Sequence, residues 1–373
     1  MRPNCRCCCK ICFRCILFLG FILCILYICK VGMDSATCDL RAVDPEHIKR
    51  AHAFAKNVVD LQCRPAFART EMDRLFPNRY NTGLASFIKK NKHANESSYQ
   101  YGPPFGFRRY LKELDDILEL MSDDDLPQDL KNKQCKRCIV VGSGGILHSL
   151  QLGHAIDQFD VVIRLNNAPV HGYEKDVGNK TTMRMTYPEG APVSEQEYLS
   201  SHLFVTVLFK YVDFLWLQAM LKNETLSMWT RLFFWKSVAD RLPLKSHQYR
   251  VLNPLIVKET AVDILDFNPP QKWWWGFEKN VPTIGAVAVV LATHLCDEVS
   301  IVGFGYDLSQ PDIPLHYYDT HCMDTMNRQP MHDVTKERKM MQRLVREGVV
   351  KDLSGGLHCD FCPPHQTDEL SST

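Results

Sequence analysis

Two kinds of residue in this 373-residue chain stand where they could do chemistry. The first is a glycine turn. Cys138-Ile139-Val140-Val141 reads as a short buried strand, followed by Gly142-Ser143-Gly144-Gly145 and a helical pattern through Leu147, Leu150 and His154. A turn of this kind presents backbone N–H groups and the positive end of a helix dipole, which suit a phosphate. A dinucleotide site would place a third glycine at position 147, where this chain has Leu147. A tight turn with a purely structural purpose is the rival explanation. The second kind is histidine, whose unperturbed pKa of about 6.5 suits proton transfer at working pH. His332 precedes a helical pattern that Thr335 is expected to cap, with Met340, Met341, Leu344 and Val345 on one face and Gly348 as the stop. A ring just before a helix N-terminus is favoured neutral by the dipole, and a neutral imidazole can accept a proton. Asp123-Asp124-Asp125 formally offers the Asp-x-Asp pair that holds a metal in many nucleotide-sugar enzymes. It follows a helix rather than a strand and precedes the strand at 138–141, so it reads as a solvated turn.

The elements that must position these residues are legible in the same stretches. Val161 to Leu165 is a second strand with Asn166 at its end, where open α/β sheets place their ligands. Pro282-Thr283 opens an Ala- and Val-rich helix up to Cys296. It feeds the strand Val299–Val302 and the turn Gly303-Phe304-Gly305. Strand, glycine turn, helix, strand predicts a doubly wound, Rossmann-like α/β domain with a mostly parallel sheet. Asp44-Pro45 looks like an N-cap and first helical position, and Ile48, Ala51, Ala55 and Val58 continue at helical spacing. Leu111, Leu114, Leu118 and Met121 predict another helix, and residues 91–104 read as a loop.

A net charge of +1 and the absence of a long basic run give no sign of nucleic-acid binding. The N-terminus is the asymmetric part. The chain is apolar without interruption from Cys15 to Cys29, and Arg2, Arg6, Lys10 and Arg14 precede that run. The spacing predicts a cytosolic tail over 1–10, a transmembrane signal anchor over 11–31 and a short stem over 32–44. A lumenal domain over 45–362 and a tail over 363–373 follow. A cleaved signal peptide is the alternative, and no Ala-x-Ala-type site follows the run to favour it. Eight of the sixteen cysteines lie at or before Cys29, where palmitoylation is possible. The other eight form an even set that an oxidising lumen would pair. Cys135-x-x-Cys138 and Cys359-x-x-Cys362 stand too far apart in the chain to suggest a zinc site. Sequons at Asn95, Asn179 and Asn223 all follow the apolar run and are expected to carry glycans.

The block from Cys138 and Gly142 through Gln151-Leu152-Gly153, Asp160, Arg164-Leu165-Asn166, Ala168-Pro169, Asp176-Val177-Gly178 and Lys180-Thr181-Thr182 resembles the large sialylmotif of animal sialyltransferases. Pro282-Thr283-Ile284-Gly285 through Cys296-Asp297-Glu298-Val299 and Gly303-Phe304-Gly305 is similar to the small motif. His316-Tyr317-Tyr318-Asp319 resembles the third, and His332 with Glu337 the very small one. The resemblance implies a GT-A-like variant of the doubly wound fold and an inverting transfer of sialic acid from cytidine monophosphate (CMP)-sialic acid. It implies no metal ion and no further cofactor. It makes His332 the general base and His316 the partner of the departing phosphate. Ser143, Gly144, Gly145, Asn166, Thr283, Gly285, Gly303 and Gly305 are expected around the donor. Ile146 and Ile284 depart from the polar residues some members carry, which leaves more of the binding to the backbone. Cys138 and Cys296 match the pair that links the large and small motifs, and Cys63 with Cys135 is expected as a second bridge. The address implied is the Golgi membrane, single-pass and type II.

Gly102-Pro103-Pro104-Phe105-Gly106-Phe107-Arg108 and Thr186-Tyr187-Pro188-Glu189-Gly190-Ala191-Pro192 bring the chain nearest to members that act on a glycolipid, so the 3-hydroxyl of galactose on lactosylceramide is the expected acceptor. Glycoprotein galactose is the alternative. Residues 203–235 are dense in Phe, Leu and Trp. Core packing is expected there, against an apolar surface for a glycolipid near the membrane. Trp273-Trp274-Trp275 suits either. Two readings from other classes are a nicotinamide-dependent oxidoreductase, which Leu147 disfavours, and an inactive membrane-tethered lectin, which an intact His316 and His332 disfavour. The oligomeric state is not legible in the residues.

Overall fold

The computed structural model describes residues 37–40, 43–90, 101–122, 126–198, 201–269, 280–327, 329 and 331–363. The expected membrane anchor over 11–31, the N-terminal cysteines, Asn95, Asp123–Asp125, Trp273–Trp275 and residues 364–373 lie outside them. Among the described residues no helix is long and apolar enough to cross a membrane.

Seven strands form one sheet: β1 (Arg137–Val141), β2 (Val161–Leu165), β3 (Thr181–Thr186), β4 (Ser201–Thr206), β5 (Tyr249–Val251), β6 (Glu298–Val302) and β7 (Val350–Asp352). Their order is β5-β4-β3-β2-β1-β6-β7, and every neighbouring pair is parallel. The chain winds outward from β1 in one direction through β5 and then returns to β6 on the other side. The topological switch therefore lies between β1 and β6, where a doubly wound sheet opens its crevice.

Six longer helices flank the sheet: α1 (Pro45–Asp60), α2 (Phe67–Leu75), α3 (Leu111–Leu120), α4 (Tyr211–Lys222), α5 (Ile284–Leu295) and α6 (Val334–Arg346). Burial on both faces explains why β1 reads as a nearly unbroken apolar run rather than an alternating one. Cys138 and Val140 of β1 join the core under α2, α5 and α6. Ile139 and Val141 join the opposite core with Ala51 and Ala55 of α1. A third cluster gathers Phe204, Phe214, Trp216 and Tyr249 between the far strands, α3 and α4. Helix α5 is nearly all buried, as its Ala/Val composition requires. Asp44 caps α1 as expected, accepting from the Glu46 N–H at 3.2 Å with Pro45 at the first helical position.

The bridge from Cys138 to Cys296 is present and ties β1 to the end of α5. Cys63 is bonded to Cys135. Two further bridges, Cys38–Cys322 and Cys359–Cys362, complete the eight cysteines after Cys29. The first of these fastens residue 38, in the expected stem, to the loop that follows His316.

Candidate active site

The glycine turn corrects one expectation. No long helix follows it: Gly145–Leu147 is a single 3₁₀ turn, and the next helix is the short segment Gly153–Asp157. Ser149 and Gln151, both at positive φ, break the chain between them. Nor do the glycine N–H groups await a phosphate. Gly142 donates to the Val302 carbonyl at 2.8 Å, Gly144 to Gly303 at 2.9 Å and Gly145 to Leu315 at 3.2 Å. The Ser143 N–H has no partner among the described residues. The glycines permit a close approach of backbone to backbone across the switch point. A Cβ on Gly142 would lie 2.4 Å from the Gly303 oxygen, and one on Gly144 2.8 Å from it. Gly303 itself has φ +73°, and its missing Cβ makes room for Leu147.

This packing carries the third motif into place. Gly144 and His316 form an antiparallel bridge, flanked by the Gly145-to-Leu315 bond and one from Tyr317 N–H to the Ser143 carbonyl at 3.1 Å. The Ser143 hydroxyl meets the Tyr306 hydroxyl at 3.1 Å. His316 Nδ1 donates to Asp319 Oδ2 at 2.8 Å, and its ring stacks on Tyr318 with centroids 5.0 Å apart. A carboxylate can only accept, so Nε2 is the ring atom left to face a ligand. Burial works against the Asp319 charge, but the bond from His316 and the Coulomb attraction to it hold its pKa below the usual carboxylate range.

His332 sits at the head of α6. The cap is Asp333, which accepts from Lys336 N–H at 2.9 Å, rather than Thr335. An Asp two residues earlier is the better acceptor there, and it leaves Thr335 exposed. Gln329 clamps the His332 backbone, accepting from its N–H at 2.8 Å and donating to its carbonyl at 2.7 Å. The ring Nδ1 donates to the Val281 carbonyl at 2.7 Å. Burial holds the ring's pKa below its ordinary value, with the bond to Val281 partly opposing.

Two residues past Val281, Thr283 caps α5, its hydroxyl accepting from Ala286 N–H at 3.2 Å. The same residue is grasped from α6. Its N–H donates to Glu337 Oε1 at 2.8 Å and its hydroxyl to Oε2 at 2.5 Å. His332 and Glu337 thus cross-link the starts of two helices through residues 281–283. Gly285, one turn further on, would place a Cβ 3.1 Å from the Phe304 ring and 3.9 Å from Leu165. The helix start therefore abuts both the Gly303-Phe304-Gly305 turn and the end of β2. Gly305 has φ +117° and lies against Gly356.

Asn166 follows β2 at φ +50°, a left-handed turn that asparagine tolerates. Its side-chain oxygen accepts from the Thr186 hydroxyl at 3.3 Å. Its carbonyl and that of Ala168 are held by Arg184, which also pairs with Glu197 at 2.8 Å in a fully buried setting. Glu197 in turn accepts from the N–H groups of Val170 and His171. Asn179 and Asn223 are exposed, as sequons require.

The structure thus brings the large, small and third motif residues together at the carboxyl end of β1, β2 and β6, with His332 tied to them through Val281. Sequence reasoning missed the supports. Asp319 was signalled by its i+3 spacing from His316, and Arg184 by a lone charge among the Thr and Met residues of β3. The Val281 carbonyl gives no signal, because any residue supplies one.

Residues 87–349 match glycosyltransferase family 29 (sialyltransferase). A lactosylceramide alpha-2,3-sialyltransferase of Pan troglodytes is 58% identical over 340 residues, covering 90% of this chain and 94% of that one. One of Homo sapiens is 58% identical over 340 residues, covering 90% of this chain and 81% of that one. The crystal structure of a mammalian sialyltransferase superposes with a TM-score of 0.61 at 24% identity, over 78% of this chain and 97% of that one, which speaks to the fold alone. Motif order, sheet topology and these relatives agree, and the chain belongs to glycosyltransferase family 29, the sialyltransferases.

Proposed function

We propose that the chain transfers sialic acid from CMP-sialic acid to the 3-hydroxyl of the terminal galactose of lactosylceramide, with inversion at the transferred carbon and without a metal ion. The observation that carries the reading is the 58% identity, across 90% of the chain, to enzymes named for that reaction. In the step itself the galactose oxygen bonds to the anomeric carbon of sialic acid, and the bond from that carbon to the phosphate oxygen breaks. The bonding pair leaves with CMP, and the hydroxyl proton goes to His332 Nε2. The Val281 carbonyl supports this role, because it can only accept and so keeps the ring's proton on Nδ1. His316 Nε2 serves the leaving phosphate, and Asp319 keeps the ring turned to it. Ser143, Gly144, Gly145, Asn166, Thr283, Gly285, Gly303 and Gly305 frame the donor, the glycines largely by letting the motifs close on one another. CMP departs with a single phosphate, and the two histidines supply proton and charge handling without a metal.

The apolar run over 11–31, with its preceding cationic residues, supports a type II Golgi anchor and a lumenal catalytic domain. The test is to give the full chain, in detergent with a chelator, CMP-sialic acid and lactosylceramide. The expected result is sialylated lactosylceramide sensitive to a sialidase selective for α-2,3 linkages. Transfer only to glycoproteins, or only after metal is restored, would overturn the reading.

A further inference from the structure

Most of residues 203–220 lie in the core as the sequence predicts, but much of the segment after them does not. Met228, Trp229, Leu232, Phe233 and Trp235 are 70–78% exposed, and they make up most of the exposed large apolar side chains among the described residues. They stand on and just beyond the short helix Met228–Arg231, which Ser227 caps by accepting from Thr230 N–H. Leu226 and Phe234 from the same segment turn inward and pack with α4. The inward side is satisfied, so the five outward residues are a separate apolar face. Water-facing positions of a soluble surface are not normally filled this way.

We propose that this face docks on the surface of a lipid bilayer. Two observations select that partner. The face is built from Trp, Phe, Leu and Met, the side chains that settle at the headgroup boundary. Between residues 222 and 245 the chain also carries Lys222, Arg231, Lys236, Arg241 and Lys245 against only Glu224 and Asp240, a cationic rim suited to anionic headgroups. The face is joined to the candidate active site through packed groups. Phe234 lies under the Lys210 ammonium at 4.9 Å, and Lys210 binds Glu189 at 2.8 Å. Glu189 adjoins Gly190, whose backbone abuts the side-chain oxygen of Asn166. A docked face would thus hold the site at a fixed offset from the bilayer, within reach of a lipid's sugar headgroup. That last step rests on the lactosylceramide reading; the docking itself does not.

The experiment uses the full chain reconstituted into phosphatidylcholine vesicles, with or without phosphatidylserine, containing brominated acyl chains that quench tryptophan. Part of the emission should be quenched in the natural chain and in Asn223→Gln, which removes the neighbouring sequon. That part should vanish in Trp229→Ser/Trp235→Ser. The double variant should also sialylate vesicle-borne lactosylceramide about tenfold more slowly, while its rate on a water-soluble lactoside stays unchanged. Lys236→Glu/Arg241→Glu should slow the lipid reaction only where phosphatidylserine is present. Identical quenching in the natural chain and the tryptophan variant would overturn the proposal, as would equal losses on both acceptors. So would a face buried against a second copy, which would leave the tryptophans unquenched. Failure of the natural chain to sialylate either acceptor would defeat the functional reading, and the quenching comparison would still decide the docking.

Discussion

His332 and Val281 share one hydrogen bond of 2.7 Å, and it fixes which end of the imidazole can react. A carbonyl cannot donate, so the proton of the neutral ring must sit on Nδ1 and the lone pair on Nε2. Partial burial disfavours the charged ring, and its pKa lies below the ordinary value near 6.5. In the proposed mechanism the ring is therefore a neutral base at neutral pH.

His332→Ala should cost roughly 10²–10⁴-fold in turnover. CMP should still bind, because the donor-framing residues belong to other elements. Calorimetric titration with CMP and single-turnover assays separate the two effects. In the natural enzyme the acidic limb of kcat/KM should fall below pH 6.5. A limb above that value, or retained turnover in the variant, would remove His332 from the role.

Asp319→Asn tests the orientation of His316. An amide can satisfy Nδ1 through either its oxygen or its nitrogen, so the ring's tautomer and tilt are no longer fixed. We expect a roughly tenfold or larger fall in kcat with a smaller change in the KM for CMP-sialic acid, and a shifted pH profile. A uniform loss in KM with an unmoved profile would make Asp319 merely structural.

Much of this architecture was legible in the residues. The runs 138–141, 161–165 and 299–302 read as doubly buried parallel strands because all but Arg164 and Ser300 are apolar, and Thr283 announced a helix start. The glycine turn misled because glycine is ambiguous. The same residue that admits a phosphate also admits another backbone, and here Gly303 occupies that space. The supports of the site were less readable still. Glu337 grips Thr283 from 54 residues away, and Arg184 reaches two carbonyls in a different loop; neither relationship has a local pattern. The exposed tryptophans were hidden by composition, since an apolar stretch looks alike whether it faces a core or a membrane.

The Cys138–Cys296 bridge closes a loop of 158 residues, so its removal should release considerable unfolded-state entropy. Loop-closure reasoning gives about 5 kcal/mol for a span of that length. Cys138→Ser/Cys296→Ser should lower the unfolding midpoint substantially. It should also weaken CMP binding, because the turn after β1 and the start of α5 carry residues proposed to frame the donor. A variant with unchanged stability would show that packing under α5 already holds the two elements.

Glu337 makes the sharpest prediction about pH. It is 2% exposed, and burial pushes its pKa up to about 7, although two hydrogen bonds from Thr283 favour the charged form. In the unfolded chain the carboxyl ionises near the usual 4.3. Between those values the folded protein holds a proton that the unfolded chain has released, so stability falls as pH rises through this window. The shift corresponds to a loss of at most about 4 kcal/mol by pH 8. Glu337→Gln cannot titrate, and it reproduces the protonated carboxyl, its oxygen accepting from the Thr283 N–H while its amide nitrogen donates to the Thr283 hydroxyl, which can turn to accept. Denaturation at pH 5 should therefore show the two chains close in stability, and at pH 8 the variant should be the more stable. Parallel stability curves across that range would mean that Glu337 is ionised throughout and that its grip on Thr283 outweighs its burial.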